Sequence, residues 1–297
     1  MADSMIQRFQ YGLFKIALAV KKNPLLKRAL NTAGVGSIYR KFNENNAHNS
    51  REIFFDAEIY GTQIKIIDGS RQQEYFHEYY TCGSMYEAAF TGVLTDVLNR
   101  TTSATFVDIG AHIGYFTVYA ANLLGDRGKI VSVEPNPEYY DYLLRNIELN
   151  NLGDRVRTFQ LALSSKPGKA SSGGYEGRDS IESDTGDIDL ITFDQLCETE
   201  GFDPDIVKID VHGAEYKVLA GMPDTLANKI KHLFVEIHPI ELMQGYNIHD
   251  VIKLLDDSKY ELMELTDFAS ADGGNLRPID DDFMSSDEHR MLYARKR

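Results

Sequence analysis

Two short stretches late in the chain gather side chains suited to proton chemistry. Residues 207–215 hold Lys208, Asp210, His212 and Glu215, and residues 235–239 hold Glu236 and His238. A carboxylate or an imidazole beside a hydroxyl can take its proton as bond formation begins, and a hydroxyl is a poor nucleophile at neutral pH without such a base. His238 titrates nearest neutrality and suits that task. Each residue also has a plainer reading. Asp210 can cap the helix that follows it, and Lys208, two residues earlier on the same strand face, needs a carboxylate such as Asp210 or Glu236 if buried. Glu215 can serve the dipole of a helix first turn, and His238 can close a strand before Pro239. A divalent metal on Asp210, Glu236 and His238 stays open, but the spacing carries no dedicated metal signature and none is expected.

A second constellation lies earlier. Val107, Asp108 and Ile109 run into Gly110-Ala-His-Ile-Gly114, and Glu134 ends the next apolar run before Pro135 and Asn136. A strand entering a glycine turn and a helix, with a carboxylate at the tip of the neighbouring strand, is how an open parallel sheet seats a ribose-bearing cofactor. Glycine lets backbone approach a ligand where a side chain would collide, and a carboxylate accepts strong hydrogen bonds from a ribose diol. The spacing is G-x-x-x-G and lacks the third glycine of a dinucleotide fingerprint. Asp108 before the turn would repel a pyrophosphate and suits a sulfonium or an ammonium. These charges favour S-adenosyl-L-methionine (SAM) over a nicotinamide dinucleotide.

Positioning these residues takes an alternation of strands and helices. Strands are expected over 105–109, 129–133, 155–161, 205–209, 231–237, 260–265 and 290–294, with helices over 113–124, 193–199, 248–256 and one beginning at Asn136–Pro137. Such alternation makes a mostly parallel α/β sheet. The last strand follows its predecessor without a helical crossover, so it pairs antiparallel at or near an edge. Residues 164–187 and 267–287 read as long polar loops. Ahead of the sheet, Ser84 with Glu87 forms a capping box for a helix to about residue 99, and residues 52–67 alternate as a hairpin around Gly61.

The chain of 297 residues is 43% apolar, enough for a full core, and its net charge is −14. That charge disfavours nucleic acid as a partner. It is unevenly spread: residues 1–41 carry Arg8, Lys15, Lys21, Lys22, Lys27, Arg28, Arg40 and Lys41 against Asp3 alone. Residues 4–30 read as a basic amphipathic helix, which either packs on the body or a second subunit or lies on an anionic membrane surface. No apolar run is long enough to span a bilayer. Cys82 and Cys197 lack metal-ligand spacing and read as reduced thiols, which fits a cytoplasmic location; with the basic helix, peripheral contact at the inner membrane face is also open. Among the histidines, His77, His249 and His289 read as surface residues.

The segments Phe106–Val118, Val133–Asn151, Leu161–Ser165, Val207–Pro223 and Phe234–Ile240 resemble the FkbM family of SAM-dependent methyltransferases, across about half the chain from 84 to 240. The KID-x-x-G-x-E segment at Lys208–Glu215 carries the resemblance most specifically. It implies the class I methyltransferase fold, a Rossmann-like α/β architecture with a seven-stranded, mostly parallel sheet whose last strand is antiparallel. An N-terminal extension (1–80, basic helix and β-hairpin) would precede a methyltransferase domain (81–297). By position, Gly110 and Gly114 line the methionine part of S-adenosyl-L-methionine, Asp108 contacts its methionine end, Glu134 grips the ribose, Asn136 shapes the adenine side, and Ala162 and Leu163 pack the adenine. Tyr86 and Glu87 match a Tyr-Glu pair that closes the cofactor site. His112 stands where Asn is commoner, within the same turn, and His212 where Glu is commoner. The implied activity moves a methyl group to a hydroxyl, that of a sugar in a glycan, glycolipid or secondary metabolite, with Asp210, His238, Glu236, Glu215 and Lys208 as the catalytic set. The rivals are an NAD-type oxidoreductase and a non-catalytic SAM-binding or scaffold protein; N-methylation and a homo-oligomer also stay open.

Overall fold

The structure is a computed structural model describing residues 52–69, 86–173, 179–182, 186–255, 259–269 and 274–297. The expected helix over 4–30, the boundary near residue 80, Ser84, His77 and Cys82 lie outside the described residues. Two compact units divide the chain, residues 1–54 with 68–86 and residues 55–67 with 87–297. All that follows concerns the second unit.

A hairpin opens it: β1 (Ile53–Ile59) and β2 (Thr62–Asp68) turn at Tyr60 and Gly61, both at positive φ. Asn146 ties β2 down, accepting from Ile67 N at 2.6 Å and donating to Ile67 O at 2.9 Å. Next come α1 (Ala88–Arg100), β3 (Ala104–Ile109), α2 (Tyr115–Leu124), β4 (Gly128–Val133), α3 (Pro137–Leu149) and β5 (Val156–Phe159). Glu87 stands at the N-cap of α1 with φ 43°. Glu87 is thus the N-cap itself and not the acid three residues inside the helix that the expected capping box requires.

Between β5 and α4 (Phe193–Glu200) the chain makes four short strands: β6 (Ala162–Leu163), β7 (Gly168–Gly173), β8 (Asp179–Glu182) and β9 (Ile188–Ile191). They form a separate sheet in the order β6-β9-β7-β8. This corrects the reading of 164–187 as a loop. Its strands are Ser-, Gly- and Lys-rich and carry little strand propensity; the small cluster of Ala162, Ala170, Ile188 and Leu190 secures them.

The chain continues through β10 (Ile206–Ile209), α5 (Glu215–Ala220), α6 (Pro223–Asn228), β11 (His232–Ile237), α7 (Ile248–Leu254), β12 (Tyr260–Leu265), β13 (Leu276–Pro278), α8 (Asp281–Met284) and β14 (Arg290–Lys296). The main sheet runs β13-β12-β14-β11-β10-β3-β4-β5. Strands β5, β4, β3, β10 and β11 are mutually parallel, and β14 runs antiparallel between β11 and β12. That is the class I methyltransferase order, with β13 as an eighth strand at one edge. Strand β13 and α8 occupy the stretch expected to be a loop over 267–287. They are held by Arg277 and Arg290, which grip the buried Glu264 at 2.7 Å each, and by Asp280, which caps α8 through Phe283 N.

The central strands are buried on both faces, as helix-covered parallel strands are, and the buried positions of one face are all apolar. Val107, Ile109, Val131, Val133, Val207, Ile209, Val235 and Ile237 join α4, α5 and α7 residues in one core, and burying each such side chain contributes about 1.5–3 kcal/mol.

Candidate active site

The C-terminal ends of β3, β4, β10 and β11 meet along one rim of the sheet, and the residues of both constellations sit there. At the β3 end, Gly110 (φ 77°) and Gly114 (φ 88°) adopt left-handed backbone. A Cβ on Gly110 would lie 1.8 Å from Asp210 O, and one on Gly114 would lie 2.6 Å from Leu143 Cδ1. The glycines are thus required first by the protein's own packing, Gly110 by the next strand's exit and Gly114 by α3. His112 is also left-handed (φ 52°). Its N–H donates to Glu134 Oε2 at 2.7 Å and its ring lies 4.0 Å from that of Tyr139. Burial holds its imidazole down to about 3, so it is neutral.

Glu134 follows β4 and is buried. Its other oxygen accepts from Asn136 N at 2.9 Å. Burial pushes its carboxyl up to about 7, against these two backbone donors. Each oxygen keeps a further lone pair, so the group fits a ribose diol. Asn136 caps α3, accepting from Glu138 N and Tyr139 N; its side-chain oxygen is spent on the helix. Ala162 and Leu163 are buried in β6, paired with Leu190 and Ile191. Glu87 is buried at the start of α1, and Tyr86 falls in the first unit.

Asp108 lies deeper than the sequence suggests. It is 0% exposed, accepts from Thr117 Oγ1 at 2.8 Å and faces Lys208 Nζ at 3.5 Å. The register explains the pair: Lys208 and Asp108 are direct partners on parallel β10 and β3, so their side chains share a face. Lys208 also reaches Asp210 Oδ2 at 3.4 Å. Its expected alternative, Glu236, is not its ion-pair partner. Burial alone would lower the Lys208 ammonium, but Asp210 and then Asp108 outweigh it and raise it above its usual range. Asp108 is therefore paired within the fold, although burial outweighs Lys208 and holds its carboxyl above the usual range, and it is not the free charge at the glycine turn.

The β10 and β11 ends are built differently. Asp210 leaves β10 with its N–H on Ile109 O. His212 (φ 50°) and Gly213 (φ 103°) then make a tight left-handed turn into α5; a Cβ on Gly213 would meet Leu242 O at 1.9 Å. Glu215, the first residue of α5, is 0% exposed and accepts from Gly213 N at 2.9 Å. It also pairs with His238 Nδ1 at 2.8 Å. Glu215 thus sits at the α5 N-terminus and also holds a histidine. That bond turns His238 Nε2 toward Asp210 Oδ1 at 3.9 Å, too far for a hydrogen bond. Burial would lower the His238 imidazole, but the bond and charge of Glu215, with Glu236 and Asp210, raise it to about 9. Burial likewise opposes ionisation of Asp210, but Lys208, His212 and His238 hold it at about 2.

His289 is exposed, as read, but it is not detached from the rim. It bonds Glu236 Oε1 through Nδ1 at 3.1 Å, and its ring lies 4.7 Å from that of His238. Antiparallel β14 starts where β11 ends, with Arg290 opposite Ile237, which carries His289 into the rim; only the sheet pairing reveals this. His249 is exposed, as read. Two groups of possible metal ligands converge among the described residues, Asp210 with His212 and His238, and Glu236 with His238 and His289. The set Asp210, Glu236 and His238 read from the sequence is neither of them.

Strand order and site together define a class I methyltransferase, whose methyl donor is S-adenosyl-L-methionine. Comparison with known proteins gives the family: the Methyltransferase FkbM domain matches residues 108–262, more than half the chain, and the chain belongs to the FkbM methyltransferases. Methyltransferase sdnD of Sordaria araneosa is 25% identical over 210 residues, covering 58% of this chain and 81% of its own length. Hexuronic acid methyltransferase AglP of Haloferax volcanii is 30% identical over 158 residues, covering 51% of this chain. The chain spans 61% of AglP's length, short of two thirds. A solved FkbM methyltransferase from Methylobacillus flagellatus superposes with TM-score 0.43 and 15% identity, over 65% of this chain and 44% of that one. Family membership removes the oxidoreductase alternative.

Proposed function

We propose that this methyltransferase acts on a hydroxyl of a sugar, in a glycan, glycolipid or secondary metabolite. The observation that carries the reading is the buried His238, oriented by Glu215 and facing Asp210 beside the glycine turn. It is a rim rich in proton acceptors, suited to a neutral hydroxyl. The 30% identity to a protein named a hexuronic acid methyltransferase supports a sugar acceptor.

In this reading S-adenosyl-L-methionine, when bound, supplies an electrophilic methyl group on sulfur. Glu134 would accept from the ribose hydroxyls, while the Gly110–Gly114 turn leaves backbone at the site instead of side chains. Lys208 keeps Asp210 ionised, so that Asp210 accepts a hydrogen bond from the acceptor hydroxyl beside the His238 imidazolium, and the hydroxyl's proton leaves to solvent. Glu215 fixes the His238 ring, and Glu236 holds His289 against it. The acidic surroundings favour a cationic cofactor. In the same reading, the basic stretch 4–30 supports peripheral contact with an anionic membrane from the cytoplasmic side.

The test is release of S-adenosylhomocysteine on a panel of sugar glycosides, each alone and after methylation of single hydroxyls. Turnover on the free hydroxyl, lost when that position is blocked, is expected. Transfer only to amines or to carboxylates would overturn the reading.

A further inference from the structure

We infer that Asp210, His212 and His238 form a binding site for a divalent transition-metal ion, which takes the acceptor's hydroxyl oxygen; this role rests on the O-methyltransferase reading above. Their ligand atoms all lie within 4.8 Å of one another. An ion bound at about 2.0–2.2 Å needs donors about 3–3.5 Å apart, so small side-chain rotations close the set.

Several independent features point to a cation here. Asp210 Oδ1 is buried and has no hydrogen-bond partner, while its Oδ2 is taken by Lys208. The orphaned oxygen is the one that faces His238 Nε2. Glu215, itself 0% exposed, holds His238 Nδ1. A carboxylate on one ring nitrogen, with the other presented, is the usual way proteins orient a metal-binding histidine. His212 is brought in by a left-handed backbone (φ 50°), a costly conformation for a residue with a side chain; its ring centroid lies 4.9 Å from that of His238. Around them stand Asp210, Glu215 and Glu236, while Lys208, the one buried ammonium among the described residues, is shared with Asp108. The rim therefore keeps surplus negative charge.

The second group, Glu236 with His238 and His289, is the weaker candidate, because Glu236 and His289 already satisfy each other at 3.1 Å. Two imidazoles and one carboxylate suit zinc, iron(II), cobalt or manganese, not the all-oxygen preference of magnesium or calcium. Such a site leaves coordination positions open. A hydroxyl bound there ionises more readily, its proton leaving to solvent.

The experiment is titration of the chelator-stripped full chain with Co²⁺ and Zn²⁺, followed by calorimetry and by cobalt visible absorption, with methyl transfer measured in parallel. One ion per chain is expected, with a cobalt spectrum that S-adenosyl-L-methionine does not abolish. The exposed His212 can change without loss of fold, so His212→Ala should weaken Co²⁺ at least about tenfold and keep S-adenosyl-L-methionine affinity. Glu215→Gln should weaken it about 10–100-fold, and His289→Ala should leave it unchanged. Absence of cobalt binding, or binding lost in His289→Ala and kept in His212→Ala, overturns the site. Transfer that persists in chelator defeats the metal but leaves hydroxyl methylation standing. Cobalt binding with transfer only to amines or carboxylates does the reverse.

Discussion

The two halves of the rim are built on opposite plans. At the β3–β4 half, charges are met mostly inside the fold: Asp108 has Lys208 and Thr117, although its Oδ1 has no hydrogen-bond partner, and Glu134 has two backbone N–H groups. At the β10–β11 half, Asp210, Glu215 and Glu236 crowd around one histidine, and Asp210 Oδ1 has no hydrogen-bond partner. The first half is a seat completed by backbone and by buried counter-charges. The second crowds several carboxylates around Lys208 and His238, each of which serves more than one of them. A seat for one invariant cofactor can be finished in advance, whereas the acceptor end keeps unspent acceptors for what arrives.

The harshest test of this division is Gly110→Ala, because that glycine is where the halves touch. The new methyl group must fit where Asp210 O lies 1.8 Å away, at φ 77°. We expect a cost upward of about 3 kcal/mol, read as a fall of about 6 °C or more in the thermal midpoint, with loss of both cofactor binding and transfer. A variant as stable as the parent would mean that β3 and β10 are not locked together at this point.

Glu215→Gln separates the halves. The amide keeps the shape but loses the charge that orients His238. Transfer should fall by about a hundredfold or more, while S-adenosyl-L-methionine affinity stays within about twofold. Equal losses in both would merge the two halves into one network. Glu134→Ala is the mirror image: affinity for S-adenosyl-L-methionine should drop about 10–100-fold, the worth of charge-assisted hydrogen bonds, while turnover at saturating cofactor is preserved.

The sequence disclosed the two halves unequally, for a physical reason. Glycine spacing, Glu134 at a strand end and the alternation of strands and helices are local signals, and they lead to the rim at the ends of β3 and β4. What Gly110 and Asp108 do there is not local. Gly110 answers to Asp210, and Asp108 to Lys208, each about a hundred residues away through the β3–β10 register. A sequence can show that Asp108 is acidic but not that its charge is already spent. The acceptor half depends still more on pairing. His238 and Glu215 meet because β10 and β11 are neighbours, and His289 arrives only because β14 inserts antiparallel beside β11. The β7 and β8 strands were hidden for another reason: Ser- and Gly-rich segments gain strand structure only from their partners.

The mildest perturbation of the seat is pH. Burial sets the Glu134 carboxyl near 7 in the folded chain against an ordinary 4.5. For the protein alone, the folded state holds a proton that the unfolded state has shed, so this group makes stability fall as pH rises from about 4.5 to about 7. Cofactor binding runs the other way. Ribose hydroxyls donate, so the ionised carboxylate is the better acceptor, and affinity should rise about tenfold between pH 6 and pH 8 and level off above that. Glu134→Gln should flatten the profile, since its amide does not titrate. The acceptor half makes no such demand on cofactor affinity, so His212→Ala should leave the profile as it is. A slope that vanished in His212→Ala and survived in Glu134→Gln would move the controlling charge from the finished half of the rim to the unfinished one.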